Sequence, residues 1–220
     1  MTVLHPQAAP DAGAAFSGFA PEDFDVFAIE GLEPRMEALI RLVRPKLHLL
    51  GDRLAPSLSV LCQEEMYAHV AKHARRTINP PNDTWVAFAA NKRGYKAHPH
   101  FQVGMFESHL FIQFAIIYEC RNKQQFAREA LERLEELRQI VPGHYVWSGD
   151  HMVAGGTPHR EMTDEALRTL IARLQQVKAA EVLCGLELNR HDPLLQDGER
   201  LLTTIEQTFE TLLPLYRMSF

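Results

Sequence analysis

Basic side chains concentrate in the middle third of a chain that is acidic overall. The 220 residues carry a net charge of −5 at pH 7, yet residues 66–106 contain six lysines and arginines against one carboxylate, Asp83. Because a guanidinium group binds phosphate or carboxylate in a bidentate fork, this pattern favours a small anionic ligand. The alternative is a solvated sheet rim. The candidate ligand-binding cations are Lys72, Arg75, Arg76, Lys92, Arg93 and Lys96.

Histidines form the second group with potential chemistry, and the chain has 11 of them. Two pairs are spaced so that their members share one side of a strand: His69 with His73, and His98 with His100. Neighbouring strands would then present imidazole nitrogens to a metal ion, with Glu107 or Asp150 as an oxygen ligand. The spacing lacks the internal glutamate of HExxH, and structural histidines are the alternative. These four histidines are therefore only weak candidate metal ligands.

General acid–base chemistry is a further prediction from the same segment. His69, His73 or His100 beside arginines would have a lowered pKa, stay neutral near pH 7 and be suited to act as a base. Asp83 would orient a histidine or pair with an arginine; alternatively, it caps the turn before Thr84. The catalytic candidates are thus these three histidines and Asp83.

Aromatic residues interleave with the basic segment. Tyr67 and Tyr95 are the candidates for stacking on a nucleotide ring, whereas Trp85 is expected in the core or at its rim.

The glycine-rich segment 149–161 would be either a lid over a pocket or a surface connection.

Other chemistries find no support in the sequence. Cys62, Cys120 and Cys184 are far apart, form no CxxC pair and lie in apolar surroundings, which is typical of reduced, buried thiols in a cytosolic protein. A GxSxG elbow is missing as well. The sequence shows neither a secretory signal nor an apolar run long enough for a membrane span, so we predict a soluble cytoplasmic protein without a membrane partner.

The elements expected to position these side chains belong to one α+β domain over residues 21–220, preceded by a flexible tail, 1–20, rich in Ala, Pro and Gly. Residues 66–75, 84–90, 95–106 and 109–119 predict four consecutive antiparallel strands, a meander. The short connection Glu107–Ser108 joins the last two. The loop 77–83 cannot be helical because it contains Pro80 and Pro81.

Helical periodicity predicts the remaining layer. A first helix is expected from Pro34, with a break or kink at Pro45 and an end at Gly51. Further helices are predicted over residues 121–140, over 164–178 with Thr163 as the N-cap, and over 198–218. Short strands at 144–147 and 180–190 would complete the sheet.

Five segments of the sequence resemble the YktB-like family of uncharacterised bacterial proteins: HVAKHARRTINPPNDTWVAF, NKRGYK, PHFQVG, AEVLCG and TFETLLPLYR. The resemblance runs from about Glu22 to Met218. It implies one α+β domain around an antiparallel sheet, grouped with the biotin-ligase and class II synthetase topology, in which a sheet face with a basic floor would form the pocket. The chain has no GRGRRG-type loop and no class II motif, so the resemblance implies a fold and not a reaction.

Together these patterns predict a protein that binds a small anionic or phosphorylated ligand, such as a nucleotide or a short single strand, in a basic, histidine-rich pocket. One alternative is a hydrolase or transferase that uses the histidines with or without a metal ion. Another is a domain whose basic patch contacts an acidic protein partner. Whether nucleic acid binds, which cofactor is used and how many chains assemble stay open at this point.

Overall fold

The computed structural model describes residues 15–220, which form a seven-stranded antiparallel sheet packed with helices. The strands run in the order β1-β2-β3-β4-β7-β5-β6, so the predicted four-strand meander is confirmed and is extended on one side by three further strands. Their bounds are β1 Tyr67–Val70, β2 Asp83–Ala89, β3 His100–Phe106, β4 His109–Ile116, β5 Val146–Ser148, β6 Thr157–Pro158 and β7 Val182–Asn189.

Helices cover one face of this sheet. Along the strands of the meander every second side chain is apolar and turns toward the helices, as alternation in a strand requires. Phe101, for example, packs on Phe209 and Tyr216, with ring centroids 4.9 and 5.3 Å apart. The α-helices are α1 Pro21–Asp25, α2 Leu32–Ala38, α3 Arg44–Cys62, α4 Lys123–Glu132, α5 Leu134–Ile140, α6 Asp164–Gln176 and α7 Gly198–Arg217.

Within residues 15–220 we find no helix whose length and apolar character would let it cross a bilayer.

The predicted end of the first long helix at Gly51 is wrong. Helix α3 continues to Cys62, and Gly51 is buried within it. A Cβ at this position would lie 2.9 Å from the Cβ of Ala68, so the glycine permits close packing of β1 on the helix rather than an exit. The disturbance expected at Pro45 takes the form of a π-helical turn, Leu39–Val43, immediately before α3.

Two predicted strands are much shorter in the structure, and the strand predicted over 109–119 ends at Ile116. β1 ends at Val70, although the N–H of Ala71 still donates to the Trp85 carbonyl at 2.9 Å. His73 then adopts φ +51°, which turns the chain out of the sheet, so His69 and His73 do not share a strand. β3 begins at His100, because Pro99 has no N–H to donate to a ladder, and His98 lies in the preceding loop.

The predicted tail is partly packed. Phe16 and Phe19 are buried, and the N–H of Phe19 donates to the Leu195 carbonyl at 2.6 Å. Residues 15–20 are therefore anchored to the domain through Phe16 and Phe19, whereas the rest of the predicted tail, residues 1–14, lies outside the described residues. The predicted helix over 121–140 is divided at Arg133 into α4 and α5.

Candidate functional site

The second face of the sheet carries polar side chains and is covered by loops. Asp83 and Trp85 of β2 and His100 and Gln102 of β3 alternate with the helix-facing residues. The covering segments are residues 71–82, 90–99 and 149–156, which we call the first, second and third loops. We refer to this surface as the loop-covered face.

Aromatic and imidazole rings meet beneath the first and second loops. The Trp85 indole N–H donates to Tyr95 Oη at 3.1 Å, and the Tyr95 ring lies 4.8 Å from His100 and 5.9 Å from His69 between centroids. His73 packs edge-on against Trp85 at 5.5 Å. These five residues form the aromatic–imidazole cluster. It brings together the three histidines expected to act as bases. They meet through contacts with Tyr95 and Trp85 and not, as predicted, as pairs on one side of a strand.

A buried chain of hydrogen bonds fixes His100. Its Nδ1 donates to the His98 carbonyl at 2.8 Å, while Gln102 Nε2 donates to its Nε2 at 3.0 Å. Gln113 Nε2 donates in turn to Gln102 Oε1 at 2.9 Å. Burial lowers the pKa of His100 to about 4, so the ring is neutral and both of its nitrogens are already engaged. This arrangement is suited to holding the sheet face rigid and leaves no free nitrogen for a metal ion.

The other two histidines of the cluster are also held neutral. His69 Nε2 lies 2.9 Å from the Asn91 carbonyl oxygen, and burial lowers its pKa. Burial, followed by the positive charges of Arg76 and Arg44, lowers the pKa of His73 to about 4. All three pKa values are lowered as predicted, but burial is the main cause, and the charge of arginines contributes only at His73.

Asp83 stands out among the buried polar residues. It is 2 % exposed, and its Oδ1 has no hydrogen-bond partner among residues 15–220. Burial raises the pKa of this carboxyl to about 6, although the charges of His151 and Arg76 oppose the shift. A buried carboxylate without a partner is costly, so it needs either a proton or a cation.

The six candidate cations divide into two groups. Lys72, Arg75 and Arg76 lie in the first loop beside the aromatic–imidazole cluster, and the Arg76 guanidinium donates only to backbone carbonyls, at 3.4 and 3.5 Å. The second loop, at the other end of β2, holds Lys92, Arg93 and Lys96. Lys96 there pairs with Glu119 at 3.2 Å. Tyr67 is half-buried on β1, two residues before His69.

A buried glutamate anchors the third loop. Glu181 Oε2 accepts hydrogen bonds from the backbone N–H of His151 at 3.0 Å and from its Nδ1 at 2.7 Å, while Oε1 accepts from the Tyr118 N–H at 3.2 Å. The hydrogen bond to Glu181 raises the pKa of His151. Sequence reasoning missed Glu181. The available signal was a carboxylate at the start of the apolar strand segment EVLCG.

A narrow cleft opens between the third loop and the sheet. His151 and Val153 line one side, and His109, Phe111 and Gln113 line the other. Its cavity volume of ≈ 20 Å³ suffices for a single water molecule. Gly155, at φ +78°, gives this loop a backbone conformation that other residues rarely adopt.

The thiols are unsuited to nucleophilic catalysis. All three cysteines are free, as predicted from their spacing. Burial raises the pKa of Cys120 to about 11 and that of Cys62 to about 12, so neither is a thiolate near neutrality.

Comparison with known proteins shows similarity over nearly the whole chain. Residues 19–216 match the family described as "Domain of unknown function (DUF1054)". A UPF0637 protein of Bacillus velezensis is 51% identical over 201 residues, which cover 91% of this chain and 96% of that protein. A UPF0637 protein of Bacillus licheniformis is 48% identical, with 91% and 95% covered. One of Bacillus cereus is 46% identical, with 91% and 96% covered. The chain therefore belongs to the DUF1054 family of uncharacterised proteins, together with these UPF0637 relatives from Bacillus.

Proposed function

We propose that this protein binds a small anionic or phosphorylated ligand at the loop-covered face. One observation carries the proposal: Lys72, Arg75 and Arg76 lie beside the aromatic–imidazole cluster, and none forms an ion pair with a carboxylate of residues 15–220. Their charge is therefore available to an external anion. Arg75 and Arg76 would grip the phosphate in a bidentate manner, with Lys72 as a point charge.

The rings beside these cations favour a ligand that has a flat group as well as a charge. Trp85, Tyr95 and His73 are each half-buried, so parts of their rings are open to contact. Stacking on such rings contributes about 1–3 kcal/mol per base. A nucleotide or a short single strand combines both features, and Tyr67 on β1 would extend the same surface.

Direct binding measurements test the proposal. Wild-type protein is titrated with inorganic phosphate, a nucleoside triphosphate and a short single-stranded oligonucleotide at low and physiological salt. We expect binding of at least one probe that weakens with salt, as electrostatic contacts require. The double variant Arg75→Ala/Arg76→Ala should bind it at least tenfold more weakly. The matched double variant Arg168→Ala/Arg173→Ala removes equal charge from exposed positions on α6, in the helix layer, and should bind like the wild type.

Two results would contradict this function. One is the absence of binding for all three probes by the wild type. The other is equal binding by the wild type and the Arg75→Ala/Arg76→Ala variant.

A second candidate, a hydrolase or transferase, is favoured by Asp83. A buried carboxyl group whose pKa is raised to about 6 exchanges protons near neutrality, as a general acid or base must. Turnover of phosphate or carboxylic ester substrates that disappears in Asp83→Asn, with intact folding, would support this candidate. Equal turnover by that variant would exclude Asp83 from the chemistry.

Three finer statements accompany this proposal as predictions. They are the likeness to the YktB-like family in particular, the grouping with biotin-ligase and class II synthetase topology, and a cytoplasmic location. The aromatic and imidazole rings of the loop-covered face, with the cations of the loops above them, support the idea of a sheet-face pocket that the second of these implies.

A further inference from the structure

Three potential metal ligands converge where the third loop meets the start of β7. One nitrogen or oxygen atom from each of Asp150, His151 and Glu181 lies within 4.8 Å of an atom from each of the other two. Among residues 15–220 this is the one such group, and His69, His73, His98 and His100 do not belong to it. The convergence joins the third loop to the residue just before β7, 30 residues away in the sequence.

We propose that Asp150, His151 and Glu181 form a site for a divalent transition-metal ion. The donor set of one imidazole and two carboxylates suits Zn²⁺ or Mn²⁺, and three protein ligands leave a coordination position open. This site is independent of the anion-binding function proposed above, because its ligands do not include the cations of the first loop.

The His151–Glu181 pair already lies close to the spacing of two metal ligands. His151 Nδ1 and Glu181 Oε2 are 2.7 Å apart and are joined by one hydrogen bond. Two ligands bound at about 2.1 Å to one ion stand about 3.0 Å apart in octahedral and about 3.4 Å apart in tetrahedral coordination. An ion that replaces the proton of this hydrogen bond would therefore separate the two atoms by less than about 1 Å, with an Asp150 oxygen within 4.8 Å of both.

Surrounding groups already orient the ligands. The N–H groups of Tyr118 and His151 donate to the two oxygens of Glu181, which fixes the plane of its carboxylate. The carboxylate of Asp150 accepts from the N–H of Met152 at 2.8 Å. Hydrogen bonds of this kind behind a metal ligand strengthen binding, typically by ten- to a hundredfold.

The balance of charge at these residues also points to a cation. Neither Asp150 nor Glu181 forms an ion pair with a lysine or arginine of residues 15–220, so two carboxylates stand against one imidazole. On the same face of the sheet, the buried Asp83 Oδ1 has no hydrogen-bond partner in the described part of the chain. This excess of carboxylate oxygens favours a bound divalent ion.

Metal titration of the full chain tests the site. Chelator-treated protein is titrated with Zn²⁺ by calorimetry and with Co²⁺ by absorbance, and bound metal is counted by elemental analysis. We expect one ion per chain with wild-type protein and at least tenfold weaker binding with Asp150→Asn and with Glu181→Gln. This titration contains no anionic ligand, so the absence of metal binding would leave the anion-binding proposal unaffected. The absence of anion binding would likewise leave the metal site unaffected.

The chain supplies a matched control. His109 and Glu187 form a second imidazole–carboxylate pair on the loop-covered face, at 3.6 Å, but no third ligand from residues 15–220 completes a group around them. Glu187→Gln should therefore bind metal like the wild type. Glu181 is buried and accepts three hydrogen bonds, whereas Asp150 is exposed, so Asp150→Asn decides the outcome if Glu181→Gln does not fold.

Three results would overturn the metal site. These are the absence of stoichiometric binding, wild-type affinity in Asp150→Asn, and an equal loss of affinity in Glu187→Gln.

Discussion

The indole N–H of Trp85 donates a hydrogen bond to the hydroxyl of Tyr95 at 3.1 Å, which ties β2 to the second loop. The same tyrosine ring lies edge-on to His100, at a centroid distance of 4.8 Å. Tyr95 also packs against a small buried cluster formed by Ala115 of β4, Leu183 of β7 and Ile117. One side chain of the second loop therefore joins residues of four strands, β2, β3, β4 and β7, across the loop-covered face.

Removing the Tyr95 hydroxyl should destabilise the fold. In Tyr95→Phe the Trp85 N–H loses its acceptor, and a half-buried donor without a partner costs about 1–2 kcal/mol. Urea unfolding should show this as a lower midpoint with an unchanged slope. Tyr67→Phe, which removes a hydroxyl from the sheet edge, should change the free energy of unfolding by less than about 0.5 kcal/mol. An equal effect of the two variants would refute the role assigned to Tyr95.

Asp83→Asn should stabilise the protein near neutral pH. The folded-state pKa is raised from 3.8 to about 6, so the folded protein binds more protons than the unfolded chain between these values. Its stability therefore falls as pH rises through that window, by up to about 3 kcal/mol. The variant lacks this loss. In thermal unfolding, Asp83→Asn should be more stable than the wild type at pH 7 and equally stable at pH 4. A variant less stable than the wild type at pH 7 would contradict this prediction.

His100 should make the fold sensitive to acid. Its folded-state pKa is lowered from 6.5 to about 4, so the unfolded chain binds more protons in that range. Stability is then lost as pH falls below 6.5, by about 2 kcal/mol at pH 5. His100→Gln, which cannot be protonated, should show a smaller change between pH 7 and 5. His144→Gln, at an exposed site, serves as the control and should keep the wild-type slope.

Gly51→Ala should destabilise the protein, although alanine favours helices. In an open helix this change would gain about 0.5–1 kcal/mol. Here the new Cβ would lie 2.9 Å from the Cβ of Ala68, and overpacking of that kind costs about 1–3 kcal/mol. Gly94→Ala, whose Cβ would meet nothing within 4 Å, is the control. Chemical denaturation that shows Gly51→Ala to be more stable than the wild type would contradict the close contact.

Much of the sheet could be predicted because its signals are local. β2, β3 and β4 follow one another with a short connection at Glu107–Ser108, so alternation within each segment was sufficient. Thr163 caps α6 as expected, with its Oγ1 accepting from the Ala166 N–H at 3.1 Å. Each of these features depends on neighbours within a few residues.

The features that sequence reasoning missed depend on distant contacts. In the sequence, Gly51 looks like the end of a helix, because its contact with Ala68 is not visible there. Glu181 likewise looks like an ordinary strand residue, because its hydrogen bonds to the third loop are not visible. For the candidate site, the sequence predicts which types of residue are present. It predicts only in part which of them lie close together. His69, His73 and His100 meet through Tyr95 and Trp85, and no spacing rule within one strand gives that result.

The strand order has a consequence for how the chain is made. β7 lies between β4 and β5, although β5 and β6 precede it in the sequence. The meander can pair as soon as it leaves the ribosome, but the three-residue β5 has no long partner until β7 follows, because a short isolated hairpin is hardly stable in water. The third loop would then pack on the sheet late in synthesis. In nascent chains halted before residue 182, the first and second loops should already cover the meander, whereas the third loop should not yet be packed.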